Sequence, residues 1–193
     1  MCFALATGVG KTRLMGAFIT YLHRAEGIRH FFVLAPNLTI YNKLIADFTP
    51  NTPKYVFQGI AEFAVTPPEI ITGDNYESGR GVRDEARKTQ GLLPGMTADE
   101  VVHINIFNIS KITSIETPKG AAKTTVPRLR RLQEYIGESY FGYLSKLDDL
   151  VLLMDESHRY RASAGMKAIG ELKPILDSPV KSRFSSKNSF SSF

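Results

Sequence analysis

Glycine, lysine and threonine gather at Gly8-Val9-Gly10-Lys11-Thr12, and two adjacent carboxylates stand at Asp155-Glu156. The first group has the residue types needed to hold a polyphosphate. Backbone N–H groups converge on an anion at a helix N-terminus, where they lack intrahelical partners. Glycines at 8 and 10 allow backbone angles and a close approach that a side chain would block, and Thr7 leads into the loop. The Lys11 ammonium would reach the β- and γ-phosphates of ATP, and the Thr12 hydroxyl would ligand Mg2+. Leu5 stands where the first glycine of G-x-x-x-x-G-K-[ST] is expected. An ordinary glycine-rich turn is the plain alternative.

The second group complements the first. Asp155 can hold Mg2+ through a water opposite Thr12, while Glu156 orients and deprotonates the attacking water for in-line phosphoryl transfer. The same two acids could instead cap a helix and charge its first turn. His158, two residues beyond Glu156, is a protonatable group that could link the nucleotide to a second lobe or to nucleic acid. A lone histidine serves structure just as readily.

Such groups act only if strands and helices hold them together. Residues 2–6 form a short apolar run entering the glycines, which predicts a buried strand. Leu14, Met15, Phe18, Ile19 and Leu22 recur at helical spacing, predicting a helix over 11–24 that Gly27 stops. Residues 30–35 (HFFVLA) read as a strand broken by Pro36. Asn37 then caps a helix carrying Ile40, Leu44, Ile45 and Phe48 on its buried face. The apolar run 150–154 predicts a strand that delivers Asp155 and Glu156 to the sheet edge where ligands collect. Short strands are expected at 54–57, 69–72 and 101–106, and helices over 126–147 and 164–176. This alternation predicts a three-layer α/β fold, a mostly parallel sheet with helices on both faces. One domain is expected over 1–177, with a polar insertion at 73–99. Residues 178–193, rich in serine and phenylalanine, read as a disordered tail of the kind a truncation or frame shift produces.

Composition narrows the setting. The 193 residues are 43% hydrophobic and 22% charged, as in ordinary globular chains, and no apolar run approaches the ~18–20 residues that span a bilayer. With no secretory signal pattern either, a cytoplasmic location is expected. One cysteine, Cys2, excludes an internal disulfide framework and a cysteine-based zinc site. A net charge of +5 suits a polyanionic partner. Arg128, Arg130 and Arg131 form one basic cluster, which a solvated helix face explains equally well.

The pairing of Ala6-Thr7-Gly8-Val9-Gly10-Lys11-Thr12 with Asp155-Glu156-Ser157-His158 resembles motifs I and II of superfamily 2 helicases and translocases. The form is most similar to the motor (Res) subunit of type III restriction enzymes. Leu34-Ala35-Pro36-Asn37 resembles motif Ia, and residues 104–111 (INIFNISK) a later segment of the same lobe. The resemblance covers roughly residues 3–176 and implies a RecA-like lobe. It gives Lys11 and Thr12 the phosphate and Mg2+ roles, Asp155 the Mg2+ role and Glu156 the general-base role. Pro36 and Asn37 become contacts to the nucleic-acid backbone, although a strand-to-helix turn with a cap accounts for them as well. The implied partners are double-stranded DNA, with RNA open, and a modification subunit. The family's second RecA-like lobe and nuclease domain have no counterpart in these residues, so the chain is expected to be a fragment, weakly active alone. Another superfamily 2 motor acting in repair or on RNA, a P-loop kinase or phosphotransferase, and a non-catalytic relic stay open as alternatives.

Overall fold

The computed structural model of the chain describes residues 10–78, 101–111, 132–133, 138–156, 167 and 169–175. The expected strand at 2–6, the residues Thr7, Gly8, Val9 and His158, the arginine cluster, most of the 73–99 insertion and the tail lie outside the described residues.

Four strands build one sheet: β1 (His30–Ala35), β2 (Glu69–Thr72), β3 (His103–Asn108) and β6 (Leu150–Met154). Their order is β2-β3-β1-β6 and every pairing is parallel. Parallel neighbours require crossovers that carry helices onto the faces, so the central strands are buried on both sides and read as continuous apolar runs. All six residues of β1 are buried. Phe31, Val33 and Ala35 face one cluster with Ile19 and Leu22 of α1 (Lys11–Glu26) and Tyr41, Leu44 and Phe48 of α2 (Leu38–Phe48). Phe32 and Leu34 face the other, with Tyr76, Phe107, Tyr140 and Leu144. The alternation follows from the two-residue period of a strand, and the outcome is the three-layer α/β architecture expected.

The helix boundaries have local causes. Gly27 ends α1 in the left-handed region at φ 68°, its N–H donating back to the carbonyls of His23 and Leu22, a conformation glycine adopts at little cost. Gly16, inside α1, lets the helix press against the 52–60 segment. A Cβ there would lie 3.1 Å from the Val56 Cβ. Asn37 caps α2 as expected, its Oδ1 accepting from the Ile40 N–H at 2.9 Å.

Three expectations are corrected. Residues 54–57 form turns instead of a strand: the Val56 N–H donates to the Asp47 carbonyl at the end of α2, and Phe57 inserts into the core against Phe48 and Phe63. Apolar residues that fasten a loop to a sheet face mimic a strand in sequence. The single helix expected over 126–147 is replaced, within its described part, by an antiparallel pair β4 (Leu132–Gln133) and β5 (Glu138–Ser139) followed by the short helix α4 (Tyr140–Leu144). Ser139 starts α4 afresh, its hydroxyl accepting from the Gly142 N–H at 3.0 Å, and an internal glycine at 137 disfavours one continuous helix by about 1 kcal/mol. The last helix stops before 176. Residues 169–171 are helical, Leu172 turns, and Lys173 takes φ 47° ahead of Pro174, which has no N–H to continue the ladder. Of the expected insertion, residues 73–78 are described: Tyr76, in a 3-10 turn over Tyr76–Ser78, is 2% exposed, with its ring edge-on to Phe107 and tilted against Tyr140.

Candidate nucleotide site

The carboxyl ends of the parallel strands share one edge of the sheet, and the amino end of α1 arrives at the same edge. Gly10 precedes α1 with φ 86°, ψ 29°, a left-handed conformation strained for any residue with a side chain. Among the described residues, a Cβ at Gly10 would meet nothing within 4 Å. No acidic residue lies in that first turn. The amide hydrogens of that turn have no acidic side chain of α1 to cap them, and free amides at a helix N-terminus suit an anion.

Lys11 opens α1, and its Nζ donates to Oε1 of Glu156, 145 residues away. The pair is partly buried, with side-chain exposures of 25% and 24%. This hydrogen bond is the main reason the Lys11 pKa is raised. Burial works against it, and the charges of Glu156 and Asp155 add to it. The ammonium is thus held charged beside two acids that follow β6.

Their placement is set by the sheet. The Asp155 N–H donates to the Leu34 carbonyl at 3.3 Å, extending the β1–β6 ladder by one residue past Met154. Glu156 then turns with φ 54°, a region costing a non-glycine residue about 1–2 kcal/mol. Strained backbone of this kind clusters where a side chain must be aimed, and here it aims the carboxylate at Lys11.

Thr12 sits one residue into α1, half-buried, its hydroxyl accepting from Lys43 Nζ at 3.0 Å. Pro36 and Asn37 leave β1 at the same edge, both half-buried. The structure therefore brings together Gly10, Lys11, Thr12, Asp155 and Glu156, with Pro36 and Asn37 beside them. Lys43 and Asp47 were not singled out by sequence reasoning, although their spacing of four on α2 is the signal of a helical ion pair. Nor was the His30–Asp149 pair at the opposite, amino-terminal edge.

The donor set fits a nucleotide with a divalent cation. A hydroxyl and a carboxylate are hard oxygen ligands of the kind Mg2+ prefers, and a lysine at a helix N-terminus suits phosphate. Among the described residues, no group of three or more His, Cys, Asp or Glu side chains could hold a metal ion.

The family profile described as type III restriction enzyme, res subunit, matches residues 1–183. This chain belongs to that family. Its parallel sheet with helices on both faces is the RecA-like lobe of such subunits. A curated relative from Haemophilus influenzae, the probable type III restriction-modification enzyme HindVIP Res subunit, is 27% identical over 173 residues. That alignment takes in 89% of this chain and 27% of the relative, so the chain spans about a quarter of the relative's length. No solved structure matches. Within the described residues no helix is long and apolar enough to cross a membrane.

Proposed function

We propose that this chain is the ATP-binding N-terminal motor lobe of a DNA-dependent ATPase, a translocase of a type III restriction-modification system. The observation that carries the reading is the convergence of Lys11, Thr12, Asp155 and Glu156 on one sheet edge, from segments more than 140 residues apart.

In this reading Gly10 and the first turn of α1 cradle the phosphates with backbone N–H groups, and Lys11 adds a cation to the outer ones. Thr12 and Asp155 would hold Mg2+, which when bound would supply positive charge to offset that of the phosphates. Glu156 takes the proton of the attacking water. The Lys11–Glu156 pair gives that step an order. In the nucleotide-free chain Lys11 occupies Glu156, so the carboxylate is not free to act as a base. Phosphate oxygens that draw Lys11 away release Glu156 next to the place where water must attack.

Asn37 Oδ1 is committed to the cap of α2, which leaves its amide N–H groups for a DNA phosphate, with Pro36 fixing the turn that presents them. The relative's description as a subunit of a restriction-modification enzyme supports a modification subunit as a partner; the track in this reading is double-stranded DNA, and a restriction motor would work in the cytoplasm. The second lobe and the nuclease would be supplied by the rest of a longer protein, so the chain alone should bind nucleotide better than it hydrolyses it.

Binding of a fluorescent ATP analogue with Mg2+ tests the site. The wild type should bind saturably, Lys11→Ala should lose binding, and Glu156→Gln should bind more tightly than the wild type because the competing carboxylate charge is gone. In a full-length parent protein, Glu156→Gln should lower DNA-stimulated hydrolysis by about 10²–10⁴-fold, the usual contribution of a general base. A cooperatively folding wild type that binds no analogue would overturn the reading.

A further inference from the structure

Lys43 stands in the nucleotide site although neither the phosphate loop nor the acidic pair includes it. Its Nζ donates to Thr12 Oγ1 at 3.0 Å and to Asp47 Oδ2 at 2.8 Å. Asp47 is one helical turn further along α2 and is 6% exposed. A buried carboxylate is costly without a partner, so Asp47 holds the ammonium near its own position. The lysine stem is otherwise exposed, with 58% of the side chain accessible. Its head is therefore tethered at one point and free to turn about it.

The oxygen that Lys43 touches is the one a metal would need. A hydroxyl ligand lies about 2.0–2.1 Å from Mg2+. An ammonium 3.0 Å from the same oxygen would then stand within about 5 Å of the metal. The contact is exposed, yet a divalent and a monovalent cation at that distance still repel through water. Mg2+ at Thr12 thus disfavours Lys43 in its present place.

We propose that Lys43 is a positioning residue that fills the cation place at Thr12 in the nucleotide-free chain and must turn away, toward Asp47, before Mg2+ can be ligated there, so that it sets the metal concentration at which the site loads. The inference rests on the nucleotide reading above and adds a residue on α2, the helix that begins at Asn37, to the control of the metal. Before loading, the ammonium offsets the acidic charge of the neighbourhood. After loading, Asp47 keeps it paired, so the exchange leaves no buried charge alone.

The test is a Mg2+ titration of the intact chain saturated with a fluorescent ATP analogue, comparing wild type with Lys43→Met and Lys43→Arg, beside thermal unfolding of each. Lys43→Met keeps the apolar stem and removes the charge, and its half-saturating Mg2+ concentration should fall about ten-fold. Lys43→Arg restores a cation and should return that concentration to near the wild-type value. Analogue binding in excess EDTA should differ little between the three proteins. An unchanged Mg2+ midpoint in Lys43→Met, with or without a lower melting temperature, would mean that Lys43 only straps α2 to α1, and would overturn the inference while leaving the nucleotide site standing. A wild type that binds no analogue, with or without Mg2+, would overturn both.

Discussion

Asn37 carries two roles in this reading, and they can be separated by substitution because they use different atoms of one side chain. Oδ1 accepts from the Ile40 N–H at 2.9 Å, with Asn37 in the extended conformation (φ -152°, ψ 170°) that an N-cap requires. The amide N–H groups are what a DNA phosphate could use. Asn37→Ala removes both. Loss of an N-cap of this kind costs about 1 kcal/mol, within a range of roughly 0.5–2. For a urea m-value of about 3 kcal/mol per molar, ~1 kcal/mol lowers the unfolding midpoint by about 0.3 M. Asn37→Asp keeps the capping oxygen, places a negative charge where the α2 dipole favours one, and removes the donor. It should unfold at or slightly above the wild-type midpoint. In a full-length parent protein it should weaken DNA binding at least as much as Asn37→Ala does, since a carboxylate repels phosphate. The assays are urea unfolding followed by circular dichroism and DNA binding by fluorescence anisotropy at fixed salt. An Asn37→Ala protein with an unshifted midpoint would refute the capping argument. An Asn37→Asp protein that is stable and binds DNA as the wild type does would refute the contact.

Two further outcomes concern the scaffold. Asn105 is 1% exposed on the central strand β3, donating through Nδ2 to the Phe31 carbonyl at 3.3 Å and accepting from Tyr140 Oη at 2.6 Å. Tyr140→Phe strands that acceptor and should destabilise the fold by about 1–3 kcal/mol in urea unfolding; a loss well under 0.5 kcal/mol would show that the bond contributes nothing. At the amino-terminal edge, Asp149 accepts from the Arg29 N–H at 2.9 Å and pairs with His30. Burial pushes the Asp149 carboxyl up, but the His30 hydrogen bond and charge, with the Arg29 N–H, bring it net below its usual value. A carboxylate depressed in the folded state adds stability above its unfolded pKa near 4 and loses it as pH falls through the lower folded value. Unfolding midpoints measured from pH 5 to pH 3 should therefore fall less steeply for Asp149→Asn than for the wild type, and parallel curves would exclude this contribution.

The parallel sheet was legible because its strands are short apolar runs buried on both faces, and such runs stand out from any polar background. The β1 and β6 runs, the cap at Asn37 and the stop at Gly27 were all local signals. So were the residues of the candidate site, because the phosphate loop and acidic pair proposed for it each need fixed types at fixed spacing. Where apolar spacing arose from packing at a distance, the local signal misled. Phe57 belongs to a loop pinned on α2, and Phe141 and Leu144 belong to a short helix that starts anew at Ser139.

By itself the sequence determined the residue types of the site and the order of elements that must carry them, since helix and strand periods, caps and glycine positions act over a few residues. Only the tertiary structure decided that Lys11 reaches Glu156, that Lys43 lies on Thr12 and that Asp155 continues the ladder beside Leu34. Those contacts join residues 31 to 145 positions apart. They depend on strand order and register, which burial of both sheet faces fixes only when all the elements pack at once.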